Sequence, residues 1–339
     1  MRVSIILPCR NEEGYIEACL HSILATDYPH ELLEILVVDG RSDDGTRTTV
    51  ERCRAKVPFI HVIDNPERIV PTALNRAIRR ATGDVIVRMD AHVVYPPDYV
   101  PRLVEALVES GADNVGGRLV TLPPSQDLIP RAIAQALSHP FGVGNSHFRI
   151  GTEEPRWVDT VPFGCFRRDA FTRFGLFDED LVRNQDDEFN HRVISRGGRI
   201  LLVPGVVSFY YARTSLKQVA RMYYQYGYFK PLVARKIGRI LTLRQLIPTV
   251  FVLGLLSTAL LALLWNPGVW VLAGLLGAYA LALVSATLPA ATTGGVRGAI
   301  ALAAAFATMH VSYGFGFLRG FRWLLPRRRR PAESIPLSR

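Results

Sequence analysis

The chain has 339 residues, 49% hydrophobic and 21% charged, which excludes a disordered tail and leaves room for one or two folded units. Its net charge of +10 is unevenly spread: beyond residue 240 nine basic residues face one acid, Glu333, so that stretch carries +8 and the first 240 residues only +2. A nucleic-acid binder needs a basic folded domain; here the excess sits in an apolar, acid-poor tail, and the partner it implies is membrane lipid, not nucleic acid.

Short apolar runs at residues 3–7, 35–38, 59–63 and 84–89 alternate with helical patterns near 13–25, 44–56 and 71–81. That alternation predicts a doubly wound α/β domain over residues 1–240. Ligands of such sheets bind beyond the carboxyl ends of the strands, so Arg10 to Glu12, Asp39, and Asp90 to His92 are the residues to inspect. Cys9, Cys19, Cys53 and Cys165 contain no C-x-x-C pair and read as reduced, and the amino-terminal apolar run is too short for a secretory signal, so this domain is expected in the cytoplasm.

Residues 241–326 change character. The runs 246–265 and 268–288 have no charge and the roughly 20 residues a bilayer needs, and Asn266-Pro267 turns one back on the other as a hairpin. The run 299–318 contains His310, Ser312, Tyr313, Gly314 and Gly316, and a crossing would put Arg327 to Arg330 outside, against the positive-inside rule. It therefore reads as re-entrant or interfacial, with a true crossing as the alternative. Residues 327–339 read as a basic cytoplasmic or interfacial tail anchored to anionic lipid.

Three polar clusters carry candidate chemistry. Asp39 ends an expected strand and precedes Gly40 to Thr46; helix capping accounts for Asp43 and Asp44 but not for an acid at Asp39, where a carboxylate commonly accepts from a ribose or base. No G-x-G-x-x-G follows the first strand, so nucleotide recognition would be of another kind. Asp90 and His92, two apart past a strand, place an oxygen and an imidazole nitrogen for one divalent cation; the bland alternative is a solvated loop. Asp186, Asp187 and Glu188 begin an amphipathic stretch, where the helix dipole alone favours acids, and an Asp there is also placed to act as a general base.

In this order and separation the clusters resemble the family 2 glycosyltransferases, which have the GT-A fold: residues 4–13, the Asp39 turn, Asp90-Ala91-His92 with Pro96-Pro97, and Gln185-Asp186. A narrower resemblance, through residues 158–164, Phe166-Arg167-Arg168, residues 175–179 and the apolar tail, is to membrane-anchored transferases of the succinoglycan-synthesis type. The resemblance implies a Rossmann-like mixed sheet followed by a helical membrane region. It implies that Pro8, Arg10, Glu12 and Asp39 surround the base and ribose of the donor, with Asn75 on a neighbouring helix and Asp90 at the nucleotide and metal. Asp90 matches the first acid of the family's Asp-x-Asp motif, with His92 in place of the second, and the cofactor implied is Mn2+ or Mg2+. Asp186 matches the catalytic base, with Gln185 where the family has Glu, and Gly40 stands where many members carry a second Asp.

The activity so implied is inverting, metal-dependent transfer from a nucleotide sugar, a UDP-sugar, to a lipid-linked polyprenyl-diphosphate saccharide at the inner membrane. Arg167, Arg168, Arg192 and Gln225 are candidate acceptor contacts, against an interfacial belt as the alternative. Transfer to polyprenyl phosphate itself, and an inactive membrane scaffold, are the competing readings. A processive polysaccharide synthase is disfavoured because no Q-x-x-R-W is present.

Overall fold

The computed structural model describes residues 1–238 and 245–325, without the side chains of 290–294. Its first part alternates as the apolar runs predict: β1 (Val3–Cys9), α1 (Ile16–Leu24), β2 (Leu33–Asp39), α2 (Thr46–Arg54), β3 (Ile60–Asp64), α3 (Val70–Arg80) and β4 (Val85–Arg88). Nearly every side chain of β1, β2 and β4 is buried, so these strands are sandwiched on both faces and read as unbroken apolar runs. The four strands are parallel in the order β3-β2-β1-β4, with Cys9 beside Asp39 and Asp39 beside Asp64. All four carboxyl ends therefore open on one edge.

The chain continues through β5 (Val93–Val94), α4 (Tyr99–Ser110), β6 (Asn114–Leu122), α5 (Leu128–Ala136), α6 (Pro140–Val143), α7 (His147–Ile150), β7 (Arg156–Trp157), β8 (Cys165–Arg167), α8 (Ala170–Arg173), α9 (Gln185–Ser195) and β9 (Ile200–Tyr211). Here the sheet becomes mixed: β8 is antiparallel to β4 and β6, and β9 is parallel to β6 and antiparallel to β5 and β7. Strands of two or three residues such as β5, β7 and β8 are too short to leave a periodic signature.

Three long helices complete the molecule: α10 (Leu216–Ile237), α11 (Ile247–Leu264) and α12 (Gly268–Gly320). Within α12, Gly295 adopts φ 67° and ψ −178°, a conformation open essentially to glycine alone, and divides the helix into two limbs. Ile247–Leu264, Gly268–Pro289 and Gly295–Leu324 are each long and apolar enough to cross a membrane. Leu253, Leu260, Leu263 and Leu281 face outward, as lipid-facing side chains would. The second limb of α12 differs, because it packs into the α/β domain: Leu302, Ala305, Phe306 and Met309 lie in the same buried cluster as Ile5, Leu7 and Val87.

This accounts for the polar and small residues that made 299–318 read as re-entrant. They face protein. His310 lies 2.8 Å from the Phe141 carbonyl and 3.0 Å from the Tyr279 hydroxyl, and Gly314 abuts Pro248 and Val252 of α11. Gly227 of α10 lies against Tyr313 and Phe317, and Gly316 against the backbone of Tyr224, so small residues bring the two helices close. The segment is one unbroken helical limb from Gly295 to Gly320 rather than a re-entrant turn. The Arg327 to Arg330 tail and the 240/241 boundary fall outside the described residues. Because a Cβ at residue 316 would strike the Tyr224 carbonyl, Gly316→Leu is expected to destabilise the protein by about 1–3 kcal/mol, read as a lowered melting temperature in detergent. An unchanged transition would mean that α10 and this limb do not pack so closely.

Candidate active site

A cavity of about 840 Å³ lies along the carboxyl edge of the parallel strands, a volume within the range of substrate sites. Pro8 and Cys9 at the end of β1 and Arg10 past it, Gly40 past β2, Asn65 and Arg68 past β3, and Arg88, Asp90 and His92 at and past β4 line it. Asp186 and Asp187 line it from the start of α9. The strand-end rule thus brings residues from four connections to one place. Backbone strain gathers here as well: Asn11, Arg41, Arg68, Phe163 and Asn184 all have φ between 54° and 62°. Asn184 is fastened by its amide to the Tyr226 carbonyl at 3.0 Å, which fixes where α9 and Asp186 begin.

The centre of the site is a bridge for which no role was read from the sequence. Arg88 is 5% exposed, and its guanidinium joins Asp186 through Nη1 and Asp90 Oδ1 through Nη2 at 3.3 Å. A charged residue ending a strand buried on both faces requires such partners, and that was the signal available in the sequence. Burial works against the Arg88 charge, but the two carboxylates more than offset it and raise its pKa. The Asp186 side chain is 38% exposed, and the side it shows faces the cavity. Burial raises its pKa most; Arg88 opposes this, Asp90 and Asp187 add to it, and the balance lies above the ordinary aspartate value. Asp187 pairs with Lys230 of α10.

Glu12 is 7% exposed and its Oε1 lies 3.2 Å from His92 Nδ1. A carboxylate on Nδ1 assigns the proton to that nitrogen and leaves Nε2 as the free lone pair, the arrangement usual behind a metal-ligating histidine. Among the described residues no three His, Cys, Asp or Glu side chains come together to hold a metal unaided. Asp90 and His92 nonetheless fit a cation that takes most of its ligands from water and substrate phosphates, as Mg2+ and Mn2+ do.

The other sequence candidates divide. Asp39 is buried one residue behind the cavity wall, with Oδ1 accepting from Ser42 at 2.6 Å and Oδ2 from Arg47 at 3.4 Å. Asn75 faces away from the cavity: it accepts from the Phe177 amide at 2.9 Å and donates to the Phe177 carbonyl and Glu179, so it ties down a loop. Gln225 is buried and accepts from Arg183 Nε at 3.2 Å, and Arg183 lines the cavity.

The expectation for Arg167, Arg168 and Arg192 is corrected. The antiparallel register sets Arg167 beside Val85, at the amino end of β4, the end opposite Asp90. Arg167 donates to the Leu107 carbonyl and Arg168 to that of Thr82. Arg192 is bound to Glu188 at 2.6 Å and to the Phe174 carbonyl. None of the three lines the cavity. Arg149, Arg183 and Arg213 line it instead, on the side toward α10, where it continues into a wall of Phe141, Ile247, Phe251, Tyr279, Met309 and Tyr313. Five of those six come from the membrane-type helices.

Comparison with known proteins bears on family and fold. Residues 4–179 match the family described as Glycosyl transferase family 2. The Succinoglycan biosynthesis protein ExoA of Rhizobium meliloti (strain 1021) is 33% identical over 246 residues, 72% of this chain and 73% of that protein. The Dolichyl N-acetyl-alpha-D-glucosaminyl phosphate 3-beta-D-2,3-diacetamido-2,3-dideoxy-beta-D-glucuronosyltransferase of Methanococcus voltae is 31% identical, over 69% of this chain and 74% of its own. In fold, the chain is similar to the mannosyltransferase PcManGT from Pyrobaculum calidifontis, solved with GDP-Man and Mn2+: TM-score 0.57, 24% identity, 94% of this chain and 87% of that one. The GT-A expectation holds.

Proposed function

The chain belongs to glycosyl transferase family 2, and we propose that it moves a sugar, with inversion and with a divalent cation, from a UDP-sugar to a polyprenyl-diphosphate-linked saccharide at the cytoplasmic face of the inner membrane. The observation that carries this reading is the cavity itself: one space is lined both by Asp90 and Asp186 and by apolar side chains of α11 and α12. A soluble nucleotide sugar and a lipid that stays in the bilayer meet only in such a space. Three apolar helices support membrane association, and the name of the Methanococcus relative, which couples a dolichyl sugar phosphate to a glycuronosyl transfer, supports a lipid-linked acceptor.

In this reading Pro8, Arg10 and Glu12, with Asp39 behind them, border the base and ribose, and Asp90 and His92 would hold the cation. When bound, Mn2+ or Mg2+ supplies positive charge where the leaving group becomes an anion. Asp186 takes the proton of the acceptor hydroxyl as its oxygen bonds to the anomeric carbon. The bond from that carbon to the diphosphate oxygen breaks on the opposite face, and the nucleoside diphosphate departs with the electron pair. An α-linked donor gives a β-glycoside. Arg88 keeps the Asp186 carboxylate in place throughout.

Direct transfer to polyprenyl phosphate is the second reading. A nucleophile already ionised needs no base, so an aspartate steadied by a buried arginine favours the hydroxyl acceptor. The test is a panel of nucleotide sugars given to the detergent-purified protein with and without a lipid extract. Nucleotide release from one donor, dependent on Mn2+ or Mg2+ and stimulated by lipid, with a β-linked lipid product by NMR, is expected. Full turnover in EDTA, or an α-linked product from an α-linked donor, would overturn it.

A further inference from the structure

The two carboxylates at the centre account for only part of the charge in the cavity. On the side toward α10 stand Arg149 of α7, Arg183 before α9, Arg213 just past β9, and Lys230. Lys230 is answered by Asp187. Arg149 and Arg213 have no ion pair among the described residues. Arg149 donates to Thr121 Oγ1 at 3.2 Å and lies 5.6 Å from the ring centres of Phe148 and Tyr210. Arg213 is only 9% exposed, and its guanidinium has no hydrogen-bond partner among the described residues. Arg183 is held in place by the neutral amide of Gln225.

The three arginines line one cavity. Each acts electrostatically on the Tyr226 hydroxyl, and Arg183 and Arg213 act on each other. Burial, helped by the charge of Arg213, outweighs the opposing influence of Tyr226, Tyr210 and Asp90 and lowers the pKa of Arg183. Like charges gathered out of water are costly, and an anion placed between them removes the cost. Planar guanidinium forks suit phosphoryl oxygens in particular.

Position identifies the anion. Pro8, Arg10 and Glu12, proposed above to border the base and ribose, lie at and just past the end of β1, whereas Arg149, Arg183 and Arg213 come from α7, the segment before α9 and the segment past β9. The cluster is framed by Tyr223 and Tyr226 of α10 and runs directly into the apolar wall of Phe141, Phe251, Met309 and Tyr313. What fits is an anionic head carrying a long apolar tail. In a polyprenyl-diphosphate-linked saccharide each phosphate carries one charge, about −2 in all, against about −1 for a monophosphate-linked one, so a cluster of three cations favours the diphosphate.

We propose that Arg149, Arg183 and Arg213 seat the diphosphate of the lipid-linked acceptor and so select a polyprenyl diphosphate over a monophosphate. Only the statement that this lipid is the acceptor rests on the function proposed above; the binding site itself does not.

Farnesyl diphosphate, farnesyl phosphate and farnesol share a tail and differ in head, and they are the probes. Titrated into the full-length protein in nanodiscs without donor, the diphosphate is expected to bind about tenfold more tightly than the monophosphate and about 100-fold more tightly than the alcohol. Arg149→Gln and Arg213→Gln are each expected to weaken diphosphate binding about tenfold and to leave farnesol binding unchanged, and unchanged farnesol binding also reports an intact fold. Arg213→Lys, which keeps the charge and loses the fork, should fall between. Equal affinity for the three probes overturns the proposal. So does displacement of farnesyl diphosphate by UDP, with the variants raising the KM of the donor rather than the acceptor, because the cluster would then serve the donor diphosphate. Inorganic pyrophosphate binding as tightly as farnesyl diphosphate overturns the lipid assignment. If no sugar is transferred to any lipid while the head-group preference holds, the proposed function fails and this inference stands.

Discussion

Asp186→Asn is expected to lower sugar transfer by roughly 10²–10⁴-fold while leaving nucleotide-sugar affinity within about twofold. The amide keeps the size of the side chain and still offers one oxygen to Arg88, but it cannot take a proton from an acceptor hydroxyl. Because the donor is proposed to lie at the strand ends rather than at α9, its dissociation constant should not follow kcat. The wild-type pH profile makes the same claim independently. A base works ionised, so activity falls as pH falls through the Asp186 pKa, and burial puts that limb above the ordinary aspartate range. The limb should be absent from the residual activity of the variant. A variant within tenfold of wild type would sink the base assignment and move the reading to a phosphate nucleophile.

Arg88→Met should cost about 3–5 kcal/mol of stability, as removal of one partner from a buried ion pair does. Arg88 is the buried cation between Asp186 and Asp90, and without it two carboxylates face each other across a partly dry space. The informative measurement is the cycle with Asp186→Asn. In the Arg88→Met background the second substitution removes one of the opposed charges and should restore at least about 1 kcal/mol, although it removes a partner when made alone. Thermal or denaturant unfolding of the four proteins in one detergent supplies the numbers. Strict additivity would mean that Arg88 and Asp186 are not coupled, and the positioning role of Arg88 would fall with it.

How far the sequence could be read follows from how local each feature is. The parallel half of the sheet was legible because strands buried on both faces leave continuous apolar runs, and β1, β2 and β4 fall where those runs stand. Pro8, Arg10, Glu12, Asp90, His92 and Asp186 were found because strand ends and a helix start are local events, and all six line the cavity. Arg88 and Asp186 are 98 residues apart, and no spacing rule connects them. Arg167 and Arg168 were misplaced because their position depends on the direction of β8, a three-residue strand whose pairing partners lie far away in the chain. Asn75 was placed beside the donor by family likeness, whereas its buried hydrogen bonds to Phe177 serve a loop. His310, Gly314 and Gly316 weakened the reading of the last apolar segment because polarity was scored against lipid, and the surface they meet is protein.

The burial of Leu302, Ala305, Phe306 and Met309 among residues of the first hundred has a practical corollary. The apolar helices are not a tether from which a water-soluble enzyme can be cut. A polypeptide ending at Gly238 would open a gap in its own interior and lose one side of the vessel in which the two substrates meet. Grafting the amino-terminal part onto a foreign anchor would leave the same gap. For this architecture the apolar helices and the α/β domain are one packing unit, and helices exchanged with those of a relative would have to bring with them the side chains they meet in the core.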